Sequence, residues 1–119
     1  MSRTANIQAV KTIIADYIKG TADSDPALLK SLFHKSAVMS GYLGPDLLLG
    51  GPQPFFDAIA ANKVGPDYTA EITELTVTGR TASATIVEDN LYGLSFINTF
   101  HLLHIDGAWT ITSKLFHHD

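Results

Sequence analysis

The chain has 119 residues, of which 45% are hydrophobic and 17% charged. That is enough apolar matter for one core, so a single domain spanning 1–119 is expected. The formal net charge of −4 and eight basic residues scattered without a cluster exclude the basic footprint of a nucleic-acid-binding protein, and the lack of cysteine removes disulfides, thiolate metal sites and cysteine nucleophiles.

The N-terminal residues are interrupted by Gln8, Lys11 and Asp16, which form neither a signal segment nor a membrane span. A cytoplasmic protein without a membrane partner is expected. Ile7, Val10, Ile14, Tyr17 and Ile18 recur at helical spacing, with Thr4 or Asn6 as cap and Gly20 as the end. Asp25-Pro26 gives an N-cap followed by proline at the first helical position. The stripe Leu28, Leu29, Leu32 and Phe33 carries this second helix to about His34. Ala37 to Tyr42 reads as a strand. Gly41 to Pro54 holds four glycines and three prolines, too many for a regular element, and is expected to be a rim or lid over a cavity. Its Leu47, Leu48 and Leu49 are too apolar to rest in water.

Phe55, Phe56, Ile59 and Ala60 restart helical spacing until Gly65-Pro66. Tyr68 to Val77 and Thr81 to Asp89 are rich in Thr, Val and Ile and are joined at Thr78-Gly79-Arg80, which predicts a hairpin. Ile72 and Leu75 are out of phase, which predicts a bulge. Phe96 to His118 reads as two strands hinged at Asp106-Gly107, a dipeptide suited to the positive φ of a type I′ turn. Phe96, Phe100 and Leu102 share one parity while Ile97, Leu103 and Ile105 share the other, so both faces are expected to be covered. Trp109, Ile111 and Leu115 have a parity opposite to Lys114 and Phe116. That apolar face is expected to need a partner and to make a homodimer.

Helices first and antiparallel strands last define an α+β domain, and a curved sheet with helices across its concave side leaves a conical pocket for a small organic molecule. Tyr17-Ile18 followed by Gly20, then Leu32-Phe33, then the run from His101 to His117 with Asp106-Gly107-Ala108-Trp109 at its centre resemble the nuclear transport factor 2-like superfamily. The resemblance is strongest to its lumazine-binding-like branch, beside the SnoaL-like polyketide cyclases and the ketosteroid isomerases. It implies a cystatin-like curved antiparallel sheet with three helices in the N-terminal half. Tyr17 falls where ketosteroid isomerases place an oxyanion-hole tyrosine, and Asn98 near their hydrogen-bonding aspartic acid. The position of their general-base aspartate falls at Gly41, beside Ser40, so a steroid-isomerase mechanism is not implied. No cofactor is implied.

The candidate pocket residues are Tyr17, Tyr42, Phe55, Phe96, Asn98, Phe100, Lys114 and Phe116. Asn98 between two phenylalanines costs roughly 1 to 3 kcal/mol if buried without partners, so it is expected to line the pocket. Tyr17 is equally compatible with a core tyrosine bonded to a carbonyl. Lys114, if on the concave face, needs an anion, a carbonyl or a route to solvent. His101 and His104 lie three apart on a strand and point to opposite faces, so they cannot grip one ion. His117 and His118 are near the end and His34 closes a helix, so no metal site is expected. No phosphate loop or nucleophile elbow is present.

Three functions remain open. The first is a small-molecule-binding domain. The second is a cofactor-free lyase, isomerase or cyclase in which Tyr17, Asn98 or Lys114 polarises a carbonyl and an acid moves a proton, with Asp16, Glu88 and Asp89 as candidates. The third is a protein-interaction or assembly module with a vestigial pocket.

Overall fold

A computed structural model describes residues 2–119. Helix α1 (Arg3–Ala22) is followed by α2 (Pro26–Leu32), strands β1 (Phe33–Leu43) and β2 (Asp46–Leu48), helix α3 (Gln53–Ala61), and strands β3 (Thr69–Thr78), β4 (Thr81–Leu91), β5 (Leu94–Ile105) and β6 (Ala108–His118). The six strands form one open sheet in the order β2-β1-β6-β5-β4-β3. The α+β expectation holds, with one correction: β1 runs parallel to β6, so the sheet is mixed.

Ser2, not Thr4 or Asn6, caps α1, its Oγ accepting from the Ala5 amide. Asn6 instead accepts from the Trp109 indole at 3.3 Å, joining α1 to β6. Gly20 does not end the helix. It lies inside α1 where α2 crosses: a Cβ there would sit 3.0 Å from Leu29 Cγ, so its smallness serves close packing. Asp25 caps α2 as the sequence implies, accepting from the Leu28 amide at 3.1 Å. That helix stops at Leu32, and His34 belongs to β1, where its Nδ1 accepts from the Ser36 amide.

The glycine- and proline-rich segment does contain a regular element. Gly44, with φ of +59°, supplies the positive φ of a tight hairpin, and β2 pairs back along Gly41–Leu43. The bulge expected in β3 occurs between Ile72 and Glu74. Asp106 and Gly107 both have positive φ, as the hinge between β5 and β6 requires.

A second bulge has larger consequences. His101 pairs with Ser113 and Leu102 with Ile111, so Thr112 is an extra residue in β6. Each side of it has its own inward parity. Trp109 and Ile111 before it, and Lys114 and Phe116 after it, all face the helices and are buried, while Leu115 is 55% exposed. The proposed partner face of Trp109, Ile111 and Leu115 is therefore corrected, because strict alternation fails at the inserted residue. The helices cover only one face of β5. Asn98, Phe100 and Leu102 lie under them, and Ile97 and Leu103 are exposed on the other side.

Candidate functional site

Val10 and Ile14 of α1 and Leu29 of α2 belong to one buried apolar cluster with Phe100, Leu102 and Ile111 of the sheet. Beneath α3 the core opens into a cavity of about 300 Å³. Pro54, Phe55 and Ala58 of α3 form the roof; Met39, Leu43 and Leu48 come from the first hairpin; Glu88, Leu91, Leu94, Phe96, Lys114 and Phe116 form the floor and far wall. Tyr92, in the β4–β5 turn, lines the rim and donates to the carbonyls of Ala58 and Asn62, which fixes the end of α3 over the cavity.

Four of the anticipated residues, Phe55, Phe96, Lys114 and Phe116, line this space. Three others lie behind it. The Tyr17 ring stacks on Phe55 at 5.7 Å and meets Phe100 edge-on at 4.7 Å, and Asn98 pairs across the strands from Phe116. All three are completely buried. Tyr42 does not join them. It shares the parity of Val38, faces away from the helices and is 47% exposed.

Glu88 is the residue around which the buried polar groups gather. It is 1% exposed, yet it borders the cavity. One carboxylate oxygen accepts from the Tyr68 hydroxyl at 2.5 Å and the other from the Asn98 amide. With both oxygens engaged, the side chain is held in one orientation. Asp16 and Asp89, the other acids considered from the sequence, are partly or fully exposed. Glu88 could have been singled out by its inward parity with Ala82, Ala84 and Ile86, all buried. Tyr68 carried no comparable signal, since it lies in irregular backbone before β3.

Burial first, then the Glu88 charge and hydrogen bond, push the Tyr68 phenol far above its ordinary value, so it remains a donor. Burial, then Glu88 and Tyr68, do the same for Tyr17. Tyr17 Oη and Asn98 Oδ1 have no hydrogen-bond partner among the described residues.

Lys114 is only 5% exposed, and its ammonium lies 3.7 Å from the centroid of the Phe55 ring, with Tyr17 and Phe116 at 5.4 and 5.7 Å. Burial lowers its pKa to about 8, and the Glu88 charge opposes that shift without cancelling it. The ion pairs among the described residues are Lys19–Asp23 and His117–Asp119, both at the surface, so Lys114 and Glu88 share the site without touching.

Gly41 has no room for a side chain of any kind. A Cβ at Gly41 would lie 1.9 Å from the Phe116 carbonyl oxygen, so a side chain there requires β1 and β6 to separate. Among the described residues no cluster of three or more His, Asp or Glu is placed to hold a metal. No helix of the described residues is long and apolar enough to cross a membrane.

A family described as "Putative lumazine-binding" matches residues 5–117. The chain belongs to that family, within the nuclear transport factor 2-like superfamily. Among solved structures, an NTF2-like protein of unknown function from Shewanella baltica OS155 is 28% identical, with all of this chain and 98% of that one covered and a TM-score of 0.89. A second such protein, from Methylobacillus flagellatus KT, is 27% identical over 100% of this chain and 95% of that one, with a TM-score of 0.91. A ketosteroid isomerase-like protein from Erwinia carotovora atroseptica SCRI1043 shares the fold at 16% identity, 95% coverage of both chains and a TM-score of 0.71. No curated protein matches.

Proposed function

We propose that this chain binds a small organic molecule whose apolar body lies against Met39, Phe55, Phe96 and Phe116 and whose polar end meets Glu88 and Lys114. The observation that carries this reading is two oppositely charged side chains bordering an otherwise apolar cavity of about 300 Å³. Burying such groups is costly unless something in the site uses them. The volume is at the low end for ligand pockets, roughly 300 to 1,000 Å³. An assembly module with a vestigial pocket is less well supported, because the space is not filled by side chains. Lumazine, which the family description names, is the first compound to titrate.

Mass spectrometry of the native protein, searching for a copurifying molecule, and calorimetric titration with lumazine test the reading. Wild type is expected to carry or take up one molecule per chain. Phe116→Trp, which fills the cavity, is expected to lose it. If neither measurement finds an occupant and Phe116→Trp simply raises the melting temperature, the cavity is a packing defect and the reading fails.

A second reading, a cofactor-free lyase, isomerase or polyketide-cyclase-like enzyme, is favoured by Glu88. A carboxylate held by two donors and bordering an apolar cavity has the geometry of a general base, with Lys114 beside it to polarise a carbonyl. A homodimer is also proposed, now through the open sheet face that presents Val38, Ile97, Leu103 and Leu115.

A further inference from the structure

We propose that Lys114 is a nucleophilic amine that condenses with an aldehyde or ketone entering the α3 cavity and holds it as an imine. The inference rests on the reading of this cavity as a ligand site and adds the class of ligand and the bond it forms. A buried lysine is ordinarily explained by an ion pair, and among the described residues Glu88 is the acid whose charge acts on it. Yet both Glu88 oxygens are already engaged by Tyr68 and Asn98, and no hydrogen bond contributes to the state of Lys114. The amine is held instead among ring faces, 3.7 Å from the Phe55 centroid, and borders the cavity. Lys11, Lys19, Lys30, Lys35 and Lys63 are all exposed, so Lys114 differs from every other lysine of the chain.

An amine attacks a carbonyl only when it has lost its proton, and apolar burial is a standard way to free its lone pair near neutrality. Burial has that effect on Lys114, lowering its pKa to about 8. The titratable groups that bear on it are Glu88 from β4 and Tyr17 from α1, with Tyr68 bonded to Glu88 behind them. The step balances without an oxidant or reductant. The nitrogen lone pair forms the C–N bond, the carbonyl π pair moves to oxygen, and the resulting carbinolamine loses that oxygen together with two former amine protons as water, leaving C=N. Glu88, bordering the same space, is placed to pass one of those protons.

Trapping with benzaldehyde and sodium cyanoborohydride, followed by peptide mass mapping, tests this. The expected result is one N-benzyl group per chain at Lys114, formed at least tenfold faster than at any exposed lysine. Lys114→Arg, which keeps the charge but cannot form a stable imine, is expected to lose the fast phase while slow surface labelling continues. Binding of benzyl alcohol, followed by chemical shifts of the Phe55 and Phe116 rings, separates the two levels of the argument. If benzyl alcohol enters the cavity and benzaldehyde labels only in proportion to exposure, the imine is wrong and the ligand site stands. If neither compound enters, both are overturned.

Discussion

The two faces of the sheet carry opposite anomalies. The helix-covered face buries Glu88, Asn98 and Lys114 among aromatic rings, whereas the open face exposes Val38, Ile97 and Leu115, each more than half accessible. A fold maximising its own stability would exchange them. On the functions proposed above, the inner groups would meet a ligand through directed polar atoms and the outer ones a second chain through area alone.

The largest effect expected on this contrast comes from Glu88→Ala. It leaves the Tyr68 hydroxyl and the Asn98 amide without their acceptor and Lys114 without a nearby counter-charge. Each unpaired buried group costs roughly 1 to 3 kcal/mol, so a loss of about 2 to 4 kcal/mol in urea denaturation is expected. A change under about 0.5 kcal/mol, the scale of an ordinary surface site, would show that the inner network is slack.

Lys114→Met comes next and has the opposite sign. Below pH 8 the lysine is charged in both folded and unfolded chains, and the folded chain bears the full cost of burying that charge. Between the folded value of about 8 and the ordinary 10.5, the folded chain has released the proton and the unfolded chain has not. Wild-type stability from this group therefore rises with pH across that window. Lys114→Met is expected to be more stable than wild type by on the order of 1 to 3 kcal/mol at pH 7, part of the gain being offset by the counter-charge Glu88 loses. That advantage should shrink as the pH rises through the window. An advantage that stays constant up to pH 10.5 would remove the buried charge as its cause.

Substitutions on the open face should barely alter the fold. Leu115→Ser and Val38→Ser are expected to change chain stability by no more than about 0.5 kcal/mol. Sedimentation should nevertheless shift them from dimer to monomer at micromolar concentration. A wild-type chain that is already a clean monomer would mean that this face is simply tolerated in water. Smallest of all, Leu49→Ser, at a residue 76% exposed, should leave the melting temperature unchanged and matter only if the β1–β2 hairpin closes on a ligand. Equal ligand affinity in this variant would argue against such a lid.

The helices and strands were legible because their apolar spacing is local: Asp25-Pro26 marks a helix start and Asp106-Gly107 a turn wherever they occur. The parallel pairing of β1 with β6 was not legible, since Ala37 to Tyr42 reads alike in either direction. Four of the eight anticipated pocket residues line the cavity, all on elements whose inward parity was readable or whose aromatic content forced burial. Tyr42 was misjudged because one more aromatic ring says nothing about which face it occupies. Glu88 was seen only as one acid among three, because its importance lies in Tyr68, 20 positions earlier, and Asn98, 10 later. Contacts of that range leave no trace in a short window of sequence.

Thr112 gives β6 something like a reading frame. The residues before it and after it are in different frames, and the strand faces the helices in both only because Thr112 is looped out of the pairing. Deleting Thr112 would remove the bulge and leave Lys114 and Phe116 facing the helices, now in strict alternation with Trp109 and Ile111. A β6 of full length that paired without the bulge would do the opposite: Lys114 and Phe116 would turn out to the open face, and Ser113 and Leu115 would replace them in the cavity. The buried amine thus depends on where one residue is looped out, without any substitution.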